Sequence, residues 1–272
     1  MRCGFIGAGN IGSAMIEGML RSGKVSPSEI TVRDIVSRDA VVNKFGVRGA
    51  DSIAELVVAS DAVFVAVKPK DCPYVFAELA PSIAGGSKII VSVAAGVSLA
   101  NIYGMLGGPA PVVRIMPNLN ARIRESATAV CAGEYIDGGA LDELIKILNT
   151  FGETFLIEEK QFGVFTALAS CSPAFTYMYI DALARAAVKF GIEAKLARGV
   201  AARAVAGSAR ALGESPLHPY ELVDMVCSPG GVTAEGVAEL FENGFAASVM
   251  RAVSACVAKE RLASGGERSA DE

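Results

Sequence analysis

One short passage near the start of the chain limits what the rest can become. Cys3–Ile6 is an apolar run long enough for a buried strand, and it breaks into Gly7-Ala-Gly9-Asn-Ile-Gly12. Ile11, Met15, Ile16 and Met19 then recur at helical spacing. Three glycines in this order, between a strand and a helix, form a dinucleotide-binding fingerprint. Gly7 permits the tight turn, Gly9 leaves room for a pyrophosphate, and Gly12 lets helix and strand approach closely. Amides left free at the helix start then face the phosphates. A glycine turn serving structure alone is the competing reading.

The chain keeps that rhythm. Ile30–Asp34 reads as a second strand, and Asp34 stands where a carboxylate would bond the adenosine ribose hydroxyls. A 2′-phosphate would meet like charge there, which favours NADH slightly over NADPH. Arg33, Ser37 and Arg38 lie close by and offer the opposite outcome. Helices are expected over 40–45 and 52–58, the second capped by Ser52, with a short strand starting at Val47. Ala62–Val67 and Lys88–Val93 are continuous apolar runs, as in strands covered on both faces. Lys68-Pro69 follows the first of them at a carboxyl end, where open α/β sheets bind ligands. Strands over 112–116, 127–132 and 155–157, with helices over 73–83, 98–106 and 141–151, complete a doubly wound α/β domain spanning 1–158. Residues 159–272 read as a second, all-helical domain. It holds a long segment from Phe162 to Phe190, helices over 194–212, 218–226 and 232–241, a continuation over 246–262, and a polar tail from Ala263 expected to fray. The Phe162–Phe190 and Ala194–Leu212 segments are apolar around much of their circumference. A domain of this size cannot bury that much, so a second subunit is expected against them.

Composition removes other classes of function. Apolar residues make up 52% of the 272, and charged ones 20%, which excludes broad disorder. No run of membrane-spanning length is free of charges and turn signals, and no basic leader precedes the first strand, so a cytoplasmic protein is expected. The net charge of −4 gives nucleic acid no footing. Six scattered cysteines without a C-x-x-C pattern, and the single His218, suit neither a disulfide framework nor a metal site, and no metal is expected. Nucleophile-elbow, P-loop and paired-carboxylate motifs are missing. Hydride transfer tolerates this poverty, because the nicotinamide carries the hard chemistry. A second informative stretch is Cys227-Ser-Pro-Gly-Gly-Val-Thr233. Its turn amides and hydroxyls suit a carboxylate, or it is a helix connection with Thr233 as cap. Ser170-Cys-Ser-Pro173 is likewise a helix break or a hydroxyl-bearing wall.

Taken together, these motifs resemble those of the pyrroline-5-carboxylate reductases. The resemblance rests on Gly4-Phe-Ile-Gly-Ala-Gly-Asn10, Val65-Ala-Val-Lys-Pro69, Ser92-Val-Ala-Ala-Gly96 and Val113-Arg-Ile-Met-Pro-Asn118. It continues through Thr166-Ala-Leu168, Ser172-Pro-Ala174, His218-Pro219, Leu222, Asp224, and Ser228-Pro-Gly-Gly231 with Thr233. It implies an N-terminal Rossmann domain, a C-terminal helical dimerisation domain, and homodimers that can join into rings. The implied reaction reduces the cyclic imine of 1-pyrroline-5-carboxylate to L-proline with NADH or NADPH. The implied cofactor contacts are Gly7, Gly9, Asn10, Ile11, Gly12, Asp34, Ala66, Val67, Lys68, Pro69, Ala95 and Asn118. Of these, Lys68-Pro69 approach the ribose, and Ala95 with Asn118 shape the nicotinamide pocket. Ser172, Ser228, Gly230, Gly231 and Thr233 are the implied substrate contacts, and Thr166 faces the ring nitrogen without any obligatory acid or base.

The chain also departs from the family pattern. Pro117-Asn-Leu-Asn120 stands where Pro-Asn-Thr-Pro is common, and Ala169-Ser-Cys-Ser-Pro-Ala-Phe175 where Ser-Gly-Ser-Gly-Pro-Ala-Tyr is common. Side chains at Ser170 and Ser172 are expected to narrow the carboxylate pocket, and Leu119 and Asn120 to alter the cofactor side. Asp34-Ile35, where many members carry a neutral residue, leans further toward NADH. The alternatives are a reductase for a related cyclic imino acid, a dehydrogenase of the β-hydroxyacid type, and a dinucleotide-binding protein without turnover. The second would want a mid-helix lysine, and the Phe162–Phe190 segment offers only Lys189 at its end.

Overall fold

A computed structural model describes residues 1–85 and 88–263. They form two compact units, Met1–Ser170 with the end of the last helix from Val257, and Cys171–Cys256.

The first unit is built on one sheet. Its strands are β1 (Cys3–Ile6), β2 (Ile30–Arg33), β3 (Arg48–Gly49), β4 (Ala62–Val65), β5 (Ile89–Ser92), β6 (Val112–Met116), β7 (Ser126–Ala132) and β8 (Gly152–Leu156). They lie in the order β3-β2-β1-β4-β5-β6-β7-β8. All pairs are parallel except β6 with β7. The order reverses between β1 and β4, which opens the ligand crevice of a doubly wound sheet beyond their carboxyl ends. Because β1, β4, β5 and β6 are covered on both faces, every residue in them is buried. Phe5 pairs with Phe64 across β1 and β4, their rings stacked 4.7 Å apart.

Six helices connect these strands: α1 (Asn10–Arg21), α2 (Arg38–Phe45), α3 (Ile53–Ala59), α4 (Cys72–Leu79), α5 (Leu99–Leu106) and α6 (Gly138–Leu148). Ser52 caps α3 as the sequence predicts, its hydroxyl accepting from the Glu55 amide at 3.1 Å. Strand β4 ends two residues before the predicted Val67, and Pro69 instead opens a 3₁₀ turn over Pro69–Asp71. Cys3 and Cys72 pack as small apolar side chains, and burial pushes their thiols up to about 12 and about 11.

The helical part breaks at the Ser170–Pro173 stretch, which the sequence offered as a helix break, and the break bears on function. The Phe162–Phe190 segment is not one helix. It begins as α7 (Phe162–Phe165), widens into a π-helical turn over Thr166–Cys171, and resumes as α8 (Ser172–Lys189). The cause is legible in the sequence, since Pro173 has no N–H for the carbonyl four residues before it. The chain then forms α9 (Ala194–Glu214), α10 (Pro219–Val226), α11 (Val232–Glu242) and α12 (Phe245–Ala263), the last two separated at Gly244 with φ +69°. Residues 86, 87 and 264–272, including most of the predicted frayed tail, lie outside the described residues.

Candidate functional site

The glycine turn is shaped by close approach of backbone to backbone. Gly7 has φ +93°, and a Cβ there would meet the Ala66 carbonyl oxygen at 2.7 Å. A Cβ on Gly12 would meet the Gly7 carbonyl oxygen at 2.6 Å. Gly9 is different, because a Cβ there would meet nothing within 4 Å. The space it leaves open faces outward at the N-terminus of α1, where Asn10 and Ile11 begin the helix. An anion of the pyrophosphate kind fits such a cradle.

Around it lies a cavity of about 610 Å³. Gly7, Gly9, Asp34, Ala66, Val67 and Lys68 line it, together with Arg33, Ser37, Lys70 and Tyr74. Pro69 belongs to a separate cleft with Cys72, Val97 and Met105. Ala95 is exposed just past the end of β5.

Asp34 does not present a free carboxylate. One oxygen accepts from the Ala8 amide at 2.7 Å, and the other from the Val36 and Ser37 amides at 2.8 and 2.7 Å. Partial burial opposes its ionisation, but the bonds from Ala8, Ser37 and Val36 outweigh that and hold the carboxyl below its ordinary range. Asp34 therefore ties the glycine turn to the loop after β2. Arg33 beside it has a buried Nε without a hydrogen-bond partner. A cation lining the cavity, next to an anion already spent on amides, suits a phosphate better than a bare hydroxyl pair.

At the end of β6, Asn118 is buried, and each polar atom of its side chain holds a protein bond. Its oxygen accepts from the Asn120 amide at 3.0 Å, and its amide nitrogen donates to the Ala169 carbonyl at 2.8 Å. The Ser170 hydroxyl reaches the Pro117 carbonyl at 3.5 Å, so this added side chain is turned onto the strand end. Within the same π-helical turn, the Thr166 hydroxyl oxygen is buried and has no partner. A helical threonine ordinarily bonds back to a carbonyl of the preceding turn. Missing from the sequence reading are Ser126 and Thr128, whose hydroxyls meet at 2.9 Å and support the Asn118 amide at 3.1 Å. Two hydroxyls two residues apart in an otherwise apolar strand were the available signal. Arg114 and Glu159 were also missed. Their half-buried ion pair, with Arg114 over the Phe162 ring and Glu159 accepting from the Leu99 amide, anchors the start of α7.

In the second unit the Ser228–Gly231 turn closes through the Gly231 amide and the Ser228 carbonyl at 2.9 Å, with Gly230 at φ +69°. Gly231, not Thr233, is the N-cap of α11. Thr233 sits inside the first turn, its hydroxyl released from the predicted capping role. Ser172 opens α8 and is half-buried.

Known proteins share this arrangement along nearly the whole chain. Residues 159–262 match the family described as pyrroline-5-carboxylate reductase dimerisation, and residues 2–96 the family described as NADP oxidoreductase, coenzyme F420-dependent. A pyrroline-5-carboxylate reductase of Escherichia coli is 38% identical over 261 residues, covering 95% of this chain and 96% of its own. The chain belongs to the pyrroline-5-carboxylate reductase family. The solved 1-pyrroline-5-carboxylate reductase of Streptococcus pyogenes is 34% identical with a TM-score of 0.84, over 96% of this chain and 98% of the other. That of Plasmodium falciparum, with NADP bound, is 26% identical with a TM-score of 0.88, over 97% and 98%. The expected lean toward NADH is corrected by these findings. The Plasmodium reductase holds NADP, and the N-terminal match is to NADP oxidoreductases. The physical reason is Asp34, read as a ribose ligand and found to be a backbone clamp.

Proposed function

We propose that this reductase uses NADPH, held over the Gly7–Gly12 turn, and that Thr166 orients the ring nitrogen of its substrate. The chain reduces the C=N bond of 1-pyrroline-5-carboxylate and yields L-proline. The chain-long likeness to the Escherichia coli reductase carries this reading. The open space at Gly9 and the cavity lined by Arg33, Ser37 and Lys70 fit a phosphorylated dinucleotide. When bound, NADPH supplies the hydride.

The chain's own residues have little chemistry left to do. A protonated cyclic imine is already electrophilic, so its nitrogen takes the π electrons without a further proton. That nitrogen needs a fixed direction, which Thr166 provides by accepting its N–H on the otherwise unpartnered hydroxyl oxygen. Ser228, Gly230, Gly231, Thr233 and Ser172 receive the carboxylate, using turn amides and the free amides at the start of α11. Lys68 and Pro69 approach the ribose, and Ala95 borders the nicotinamide. Effective catalysis then consists of holding the reacting carbon in near-attack geometry.

The same reading divides the protein into a cofactor domain over 1–158 and a dimerisation and substrate domain over 159–272, in a cytoplasmic homodimer that can join a larger ring. Among the described residues, no helix is long and apolar enough to cross a membrane. The decisive experiment follows NADPH absorbance with pyrroline-5-carboxylate and, in parallel, its six-membered homologue. Turnover confined to the five-membered ring is expected. Oxidation with neither imine would overturn the activity, and faster oxidation with the homologue would overturn the substrate.

A further inference from the structure

One carbonyl of the π-helical turn takes a bond from outside the helix. In a regular helix the Ala169 carbonyl would accept from the amide of residue 173, and residue 173 is proline. The Asn118 side chain supplies the missing donor, at 2.8 Å. Asn118 is itself held from two sides. Its oxygen accepts from the Asn120 amide, and its own backbone amide donates to Ser126, whose hydroxyl meets Thr128. Asn118, Ser126 and Thr128 are all buried, and the two bonds at the Ser126 hydroxyl form where water does not compete. π turns are rare, occur mostly as single-turn bulges inside α-helices, and are frequent at functional sites. This one begins at Thr166 and contains Ala169. Rotation of the turn would swing the Thr166 hydroxyl.

We propose that Asn118 is a positioning residue: by donating to Ala169 it fixes the wide turn that aims the Thr166 hydroxyl at the substrate's ring nitrogen. The inference rests on the role assigned to Thr166 above. It places the Asn118 side chain in the protein's own hydrogen bonding and not on the nicotinamide. Each of its polar atoms holds one protein bond, to Ala169 and from Asn120, and these two bonds set its orientation.

Two measurements test it, one of them independent of turnover. In the ligand-free protein, amide hydrogen exchange over 166–172 should accelerate roughly tenfold in Asn118→Ala, while strands β1 and β4 exchange as in the wild type. Unchanged exchange in the turn would overturn the proposal. In the enzyme with NADPH, Asn118→Ala should lower kcat roughly tenfold, no more than loss of the Thr166 hydroxyl itself would. The Kd for NADPH, titrated by its fluorescence, should stay within about twofold. A Kd raised in proportion to the lost activity would make Asn118 a cofactor contact and end the argument. In a Thr166→Val background, Asn118→Ala should cost little more, and multiplied effects would also refute coupling.

Asn118→Asp guards against simple misfolding. It keeps the acceptor for Asn120 and loses the donor to Ala169. Its kcat relative to wild type should be low near pH 8 and rise toward pH 6, as the buried carboxyl gains the proton it can donate. A ratio flat with pH would count against the donor role. If the wild type reduces no imine at all, the assigned reaction fails, and the exchange experiment still decides whether Asn118 holds the turn.

Discussion

The sheet unit finishes its own core, and the helical unit does not. Strands β1, β4, β5 and β6 are buried at every position. By contrast α8, with 18 residues, buries only Ala184, and α9, with 21, buries only Ala197 and Ala201. Among its larger side chains Met178 is 72% exposed, Phe190 82% and Val200 60%. An apolar run therefore means two different things within one chain. In a strand between two helical layers it reports a completed interior. In a long helix with apolar residues all around, it reports surface that a second copy must cover. The dimerisation family matched by 159–262 agrees with that difference.

Charge insertion breaks the comparison most severely. Val200→Asp places a carboxylate on the unfinished face of α9, twice per dimer. It should weaken self-association roughly thousandfold, about 4 kcal/mol, and remove most activity with it. Val58→Asp, on an exposed position of α3 in the sheet unit, should change stability by less than about 0.5 kcal/mol. Sedimentation of both variants checks this, and equal effects would erase the distinction. Next in size is Phe64→Ala, which removes a fully buried ring stacked on Phe5. It should cost about 3 kcal/mol. Its lowered Tm should track protein concentration no more steeply than the wild type's, since the cavity lies inside one protomer.

Much of the sheet unit was legible because its signals are local. Continuous apolar runs located β4 and β5, and the glycine order located the cofactor turn. The π-helical turn was half legible. Pro173 announced a break, but only tertiary contact could reveal that Asn118, 51 residues from Ala169, repairs it. Asp34 was misread for a related reason. It lies one residue past β2 rather than inside the expected strand, and the amides of Ala8, Val36 and Ser37 claimed its oxygens, while backbone amides leave no trace in a sequence. Thr233 was offered the role of cap when Gly231 holds it, because the residue that caps depends on a turn closed two residues earlier.

Smaller effects sharpen the picture within the sheet unit. Thr166→Val preserves shape and removes a buried hydroxyl oxygen that no protein group satisfies. The folded protein should tolerate it or gain slightly. The loss of about 2 kcal/mol should appear in kcat instead, roughly thirtyfold, with NADPH affinity unchanged. A Tm that falls while kcat holds would return Thr166 to a structural role. Arg33→Ala should lower the ratio of kcat/KM for NADPH over NADH about tenfold, near 1.4 kcal/mol, by removing the cation that lines the cavity. An unchanged ratio would assign the 2′-phosphate to other groups.

Asp34→Ala makes the smallest and most diagnostic change. A clamp that closes the glycine turn acts on both dinucleotides alike, so the variant should bind each about fivefold more weakly, near 1 kcal/mol, and leave their ratio untouched. A ligand repelling the 2′-phosphate would do otherwise, and its removal would raise the ratio in favour of NADPH. The pH dependence separates the two roles a second time. The folded carboxyl titrates below its ordinary value, so its stabilising bonds are fully present above the unfolded pKa of about 4 and are lost as pH falls through the lower folded value. The gap in Tm between wild type and Asp34→Ala should therefore stay level from about pH 8 to pH 5 and close in acid. A gap that persisted after the carboxyl was protonated would show that the side chain's packing, and not its three amide bonds, holds the turn.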